Sequence, residues 1–488
     1  MAGMRSRRGC TDSTNPVAQG AIWRNRNVQS QDDAVKRIAV VVMKGALWIV
    51  GIAVVLGGLL VVGNAFDEDL HPDAAAYLKP GAPARLPDDQ NAYFALVGLG
   101  APASEQPHDA GRKWVGAVKD AVARRSRGES AAWPKASSAR STPEICVPGK
   151  SSCLAAAREK EGEARKFVAD HALLLARYRA LHAYPGYAET MDYSDLGQPF
   201  PPFGPVLSAQ RAFHVDAALR LVQGEVDTVL ADLEKEIAFL RRLLAGSNLL
   251  ITKMVANRLL QRSTLMASDV MAQHREASSS RAAGLAQALQ PLAAEERRMD
   301  AALRQEFRFL RNSFLHILRY PELAGESGIM GLARLFFAPN ATANAEHPFR
   351  KYWLDADALP ATKLAGAHKQ ASAAPQPPAW MAWYNPVGKI LVLPSLDGNA
   401  FEAYIKAMHD LDGVVRLVAL QAEIVAKNVK DEDVPQFLAA ADKRYANPWT
   451  EKPMQWDPKT RQIYFEPRSK RYQDDKTGGV AGRVSISL

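Results

Sequence analysis

The chain has 488 residues, with 61 Lys and Arg against 52 Asp and Glu, for a net charge of +9. Residues 1–44 hold eight basic and three acidic side chains, so more than half of the excess sits in one tail. A charge placed this way argues against nucleic acid as a partner and suits anionic lipid beside a membrane. The length leaves room for two or three domains.

The polar, Arg-rich tail at 1–44 has no hydrophobic pattern and reads as disordered, or as an over-long start upstream of Met43-Lys44. Residues 45–66, GALWIVGIAVVLGGLLVVGNAF, contain no charge. At about 1.5 Å per residue this run can cross a hydrocarbon core of roughly 30 Å as one helix. Arg24, Arg26, Lys36, Arg37 and Lys44 precede it, and Asp67, Glu68, Asp69 and Asp73 follow. Excess Lys and Arg keeps the adjoining end cytoplasmic, so the expected protein is single-pass in the inner membrane with a periplasmic body. A cleaved signal peptide ending at Gly63-Asn64-Ala65 is the alternative; the long leader and long apolar core favour an anchor.

Residues 67–150 are rich in Pro, Gly and Ala, with short helices predicted at Asn91–Gly98 and Gly111–Ser126. Cys146 and Cys153 flank the turn sequence VPGKSS and read as a disulfide in an oxidising compartment, against the alternative of two free thiols. Cys10 falls on the opposite side of the span.

A helical array is expected over 151–358. Phe167, His171, Leu174, Tyr178 and Leu181 recur every three or four residues, as on one helix face, until Gly197–Pro205 interrupts. Val226, Leu230, Leu233, Ile237, Leu240 and Leu244 mark the clearest helix, joined to Ala209–Val222 through Gln223-Gly224 as a hairpin. Helices near 247–275 and 294–318 would extend this into a solenoid-like stack, without a strict repeat. The apolar run Ile329–Phe337 is expected to be a core helix, or else a face for a partner or membrane built on Leu335, Phe336 and Phe337.

Residues 359–380 read as an Ala/Pro/Gln-rich linker. In 381–488 an amphipathic helix is predicted from Asn399 to about Val429, with Phe401, Tyr404, Ile405, Met408, Leu411, Val415 and Val418 on its face. Two strands, Pro453–Trp456 and Gln462–Glu466, are expected around the turn Asp457–Thr460, with a last strand at Arg483–Leu488. The predicted fold is thus mainly α: a transmembrane helix, an extracytoplasmic helical array and a small C-terminal β element.

Asn447–Asp457, NPWTEKPMQWD, resembles the C-terminal hairpin of secretion pseudopilins and of many bacterial envelope proteins. Their pattern is Asp-Pro-aromatic-x-Gly-x-Pro-(Leu or Met)-x-(Tyr or Trp)-(Asp or Arg); here Asn447 replaces the leading Asp and Glu451 the glycine. Pilins also carry a glutamate inside the apolar helix, and residues 45–66 have none, so the resemblance does not extend to pilus assembly. More of the chain resembles a family of uncharacterised single-span bacterial envelope proteins. The matching pieces are Asn91-Ala92-Tyr93-Phe94, the Cys146/Cys153 pair, Leu174–Leu181, the hairpin around Gly224, and Pro339–Asn344, PNATAN. That resemblance implies a membrane anchor and a helical body and carries no activity.

No catalytic, cofactor-binding or metal-ligating residue is recognisable in the sequence. There is no HExxH, GxSxG or GxGxxG. Gly149-Lys150-Ser151 lacks the upstream glycine of a phosphate loop and lies between the paired cysteines. His171 falls on an apolar stripe, as a core histidine would, and acidic runs such as Asp431-Glu432-Asp433 suit a solvated face. The expected function is a non-enzymatic envelope scaffold with a protein partner and no small-molecule cofactor. The alternative is a hydrolase of cell-wall material whose site comes from residues distant in sequence.

Overall fold

From Pro16 to Asn64 the chain is one helix, α1. The computed structural model describes residues 16–79, 86–135, 145–194, 197–320, 333–364, 383–392, 399–474 and 482–488. Within α1, Val35–Asn64 is long and apolar enough to cross a membrane, and among the described residues no other helix is. Helix replaces the disorder expected of the tail from Pro16 onward: between Ala21 and Lys44 there is no Pro or Gly to stop it. The chain divides after Phe66, and Asp67–Leu488 forms a compact unit of its own.

This body is mostly helical. It opens with α2 (Pro72–Leu78), α3 (Ala92–Val97) and α4 (Pro107–Ser126). Helices α3 and α4 meet where Gly98 and Gly111 lie on each other's backbones; a Cβ on Gly111 would strike the Phe94 carbonyl. Next come α5 (Cys153–Glu159), α6 (Glu161–Asp170) and α7 (Ala172–Leu181). The face predicted as one helix is therefore two, broken at His171, whose ring Nδ1 lies 2.8 Å from the Phe167 carbonyl. His171 is half-buried beside the Phe167 ring.

The hairpin is α8 (Phe203–Val222) and α9 (Val226–Ala245). Its turn needs Gly224, which sits at φ +84, where a side chain would be strained. All six residues of the predicted α9 stripe are buried, and so are Val229, Glu236, Phe239 and Leu243 on a second flank. The second flank exists because α9 packs against both α10 (Leu250–Gln273) and α11 (Arg275–Ala288). Helix α11 has no counterpart in the predicted elements. Its buried residues are Ser278, Ala282, Leu285 and Ala286, and apart from Leu285 these small side chains leave little hydrophobic signal while allowing close packing.

The chain continues through α12 (Ala294–Arg297), α13 (Asp300–Arg319), α14 (Pro339–Asp357), α15 (Pro386–Val392) and α16 (Asn399–Ala426). Of the expected linker, 359–364 is described, with Ala361 and Leu364 buried; 365–380 lies outside the described residues. Helix α16 departs from the one-faced helix predicted: from Ala407 to Val425 only Arg416 and Glu423 escape full burial. It packs on α10, α11, α12 and α14, and is buried all round as the centre of the body. After α17 (Val434–Ala440) come β1 (Gln455–Asp457), β2 (Gln462–Phe465), the short α18 (Lys470–Asp474) and β3 (Val484–Ser487). The strands form an antiparallel sheet in the order β1-β2-β3, with Ile463 opposite Ile486 and Phe465 opposite Val484. Those four residues are buried, and the Phe465 ring covers Gly413 of α16.

Candidate functional site

The PNATAN segment opens α14, with Pro339 at the first helical position, where its missing N–H costs nothing. Ala338, the residue before it, has no side-chain acceptor for the free amides of the first turn. The acceptor comes from Asp67, the first residue of the body. Its carboxylate takes the Asn340 N–H at 2.8 Å and the Ala341 N–H at 3.0 Å. An anion at this position also suits the helix dipole.

Asn340 and Asn344 stand one turn apart on the same face. Asn340 donates to the Glu68 carbonyl at 3.0 Å, and Asn344 to the Asp69 carbonyl at 3.0 Å. Asn344 also accepts the His71 N–H at 2.9 Å. Farther along, the Arg304 guanidinium lies 4.3 Å from the Tyr77 ring centre, and Arg308 donates to the Lys79 carbonyl at 3.1 Å. Residues 67–79 are thus held along α13 and α14 by contacts reaching from one end of the body's sequence into its middle.

On the other side of Ala338 sits Asn385, buried and at φ +51. Its Oδ1 accepts the Ala338 N–H at 2.9 Å and the Gly388 N–H at 3.1 Å, while its Nδ2 donates to Thr342 Oγ1 at 2.9 Å. This one side chain joins α15 to the start of α14. Next to it the predicted patch forms a 3-10 turn, Arg334–Phe336, and not the continuous helix expected of this run. Leu335 is 47% exposed; Phe336 and Phe337 are half-buried, with Phe337 lining an apolar cleft beside Leu310, Phe314 and Leu391. Residues 329–332 lie outside the described residues.

The buried charges serve helix ends and chain crossings. Glu189 accepts the Asn248 and Leu249 N–H groups at 2.6 and 2.8 Å, just before α10. Lys253 donates to the Leu244 carbonyl at 2.8 Å, in the last turn of α9. Each charge has the sign its helix end favours. Burial still dominates both, pushing Glu189 up to about 7 and Lys253 down to about 8. Asp410 of α16 accepts Trp449 Nε1 at 2.7 Å and the Arg468 and Ser469 N–H groups at 3.0 and 2.8 Å. This fastens the hairpin-motif segment to the central helix. Within that segment Glu451 sits at φ +56, where the resembling pattern has glycine.

Ser263, His214 and Glu236 have the residue types of a nucleophilic triad but not its geometry. The same His214 Nε2 lies 3.4 Å from Ser263 Oγ and 3.7 Å from Glu236 Oε2, whereas a relay needs the carboxylate on the opposite ring nitrogen. All three are buried. Burial acts to raise the Glu236 pKa, but the neighbouring His214 and the Tyr178 hydroxyl at 2.6 Å hold it below the usual carboxylate value. This arrangement is suited to joining α7, α8, α9 and α10.

Cys146 and Cys153 are bonded, with Cα atoms 5.1 Å apart. Their loop docks on α10: Ser152 and Gln273 hydrogen-bond, and Asp269 accepts the Gly149 N–H. The GKS sequence is therefore part of a packed disulfide loop. Among the described residues no group of three or more His, Cys, Asp or Glu is arranged to hold a metal ion. Comparison with protein-family models, curated proteins and solved structures finds no match to this chain.

Proposed function

We propose that the protein is a single-pass scaffold or interaction protein of the bacterial envelope, non-enzymatic, with its N-terminus cytoplasmic and its body in the periplasm. The observation that carries this reading is the fastening of Asp67. Only Ala65 and Phe66 lie in the sequence between the end of α1 and Asp67, whose side chain is bound into α14. A body joined to its anchor by so short a segment is suited to holding partners at the membrane. The use of Glu189, Asp410 and Glu236 as structural acceptors supports the same view, as does the resemblance to single-span envelope proteins.

Cross-linking of the full chain in its native membrane, read by mass spectrometry, tests this. A defined set of envelope proteins joined to exposed body lysines such as Lys235 is the expected result. Recovery of nothing beyond the background of an unrelated single-span protein would contradict it.

A further inference from the structure

The buried carboxylates described above hold the fold together: Glu189, Asp410 and Glu236 each accept two or more hydrogen bonds. Asp269, near the end of α10, accepts one, from the Gly149 N–H of the disulfide loop. It lines a small cleft with Cys153, Leu154, Leu221, Met266 and His274. A carboxyl set among apolar walls with a single amide partner calls for an explanation. Burial pushes it up to about 7, so near neutral pH it can both give a proton and take one back.

The two sulfurs of the disulfide are unequal. Cys146 is half-buried at the edge of the core, whereas Cys153 is buried and shares the cleft with Asp269. In thiol–disulfide exchange a thiolate attacks the sulfur it can reach, and the other sulfur leaves as a thiolate. Here the reachable sulfur is Cys146 and the leaving sulfur is Cys153. A thiolate released among apolar side chains is disfavoured until it gains a proton, and the carboxyl in the same cleft holds one. Of the other charged or titratable groups around the cleft, His274 of α10 is held below its ordinary pKa by burial and by Arg158 of α5. Lys150 stands next to Gly149 in the loop, and α8 contributes Leu221.

We propose that the Cys146–Cys153 bond is an exchange site for an external dithiol, with Asp269 as the proton carrier of Cys153. One thiolate of the dithiol attacks Cys146 Sγ, forming a mixed disulfide as the bond to Cys153 breaks. The electron pair of that bond goes to Cys153 Sγ, which takes the Asp269 proton. The second thiol of the dithiol gives its proton to water and attacks its own partner sulfur, releasing Cys146, which is protonated by water. Two electrons have then passed to the two cysteines, and the dithiol leaves as a disulfide. Reoxidation runs the same steps backwards, with the Asp269 carboxylate accepting the Cys153 proton.

The test uses the full chain in detergent with Cys10→Ser, and follows reduction by dithiothreitol through alkylation and intact mass. Asp269→Asn keeps an oxygen for the Gly149 amide, and its circular dichroism is matched to the parent. Rates are referred to the thiolate form of the reagent. In the parent they should fall about tenfold or more from pH 6 to 8.5, as Asp269 loses its proton. In Asp269→Asn they should be low and independent of pH, and His274→Gln should follow the parent. Separately, Cys146 in Cys153→Ser should form a mixed disulfide with oxidised glutathione about tenfold or more faster than Cys153 in Cys146→Ser. Matching profiles in the parent and Asp269→Asn, or loss of the profile in His274→Gln instead, would overturn the proposal. So would faster reaction at Cys153, or a disulfide that dithiothreitol reduces only after urea has unfolded the body.

Discussion

Glu189 makes the stability of the body depend on pH in a direction the structure specifies. Its carboxyl titrates near 7 in the folded protein, against 4.5 for an ordinary glutamate, because burial disfavours its charge. The folded state therefore holds this proton more tightly than the unfolded one. The resulting stabilisation is complete below about pH 4.5 and is lost as pH rises through 7. At about 1.4 kcal/mol per pH unit, roughly 2–3 kcal/mol disappears between pH 5 and 8. Glu189→Gln keeps a carbonyl oxygen for the Asn248 and Leu249 amides but has no charge to bury. The variant should match the parent near pH 5 and exceed it by roughly 2–3 kcal/mol at pH 8. Asp357 and Asp269 are pushed up by burial in the same sense, to about 6 and about 7, so the informative quantity is the difference between the two proteins. Lys253, lowered to about 8, contributes with the opposite sign only above that pH. Urea titrations in detergent, followed by tryptophan fluorescence, give the difference directly. Parallel pH profiles, or a variant weaker at pH 8, would mean that the two amides and the dipole of α10 outweigh burial.

Leu233 is fully buried in α9, so Leu233→Ala should cost about 2–5 kcal/mol in the same titration. Lys235→Ala, two residues on and largely solvated, should change stability by no more than about 0.5 kcal/mol; equal effects would mean that the α9 stripe is not core. Non-reducing mass spectrometry should find Cys146 joined to Cys153 and Cys10 free. Cys146→Ser should then cost about 2–3 kcal/mol for so short a loop. Alkylation of both outer cysteines without reductant would remove the basis of that figure.

What could be read from the sequence was local. The α9 stripe, the Gly224 turn, the cysteine pair and the three strands each declare themselves within a few residues, through periodicity or turn chemistry. Helix α11 escaped because, of its buried residues Ser278, Ala282, Leu285 and Ala286, only Leu285 carries a strong hydrophobic signal. The central position of α16 was hidden for a related reason. Asp410 and Asp412 look like solvated residues until their distant partners are known, the Ser469 amide for one and the Leu292 amide for the other. The same limit applies to the candidate site. PNATAN stood out as a segment, but the carboxylate that caps it comes from Asp67, 273 residues away. No spacing rule links a helix start to an acceptor at that distance, and the link between Glu189 and α10 is of the same kind.

The central claim is that α1 spans a membrane with the body on the far side from the N-terminus. Labelling in intact spheroplasts with a membrane-impermeant maleimide tests it most directly, using native Cys10 and an exposed Lys235→Cys in the full chain. The account predicts that Lys235→Cys reacts before lysis and Cys10 only after permeabilisation, with all of the protein in the membrane fraction. Reaction in the reverse order, or a soluble mature form beginning near Phe66, would contradict it.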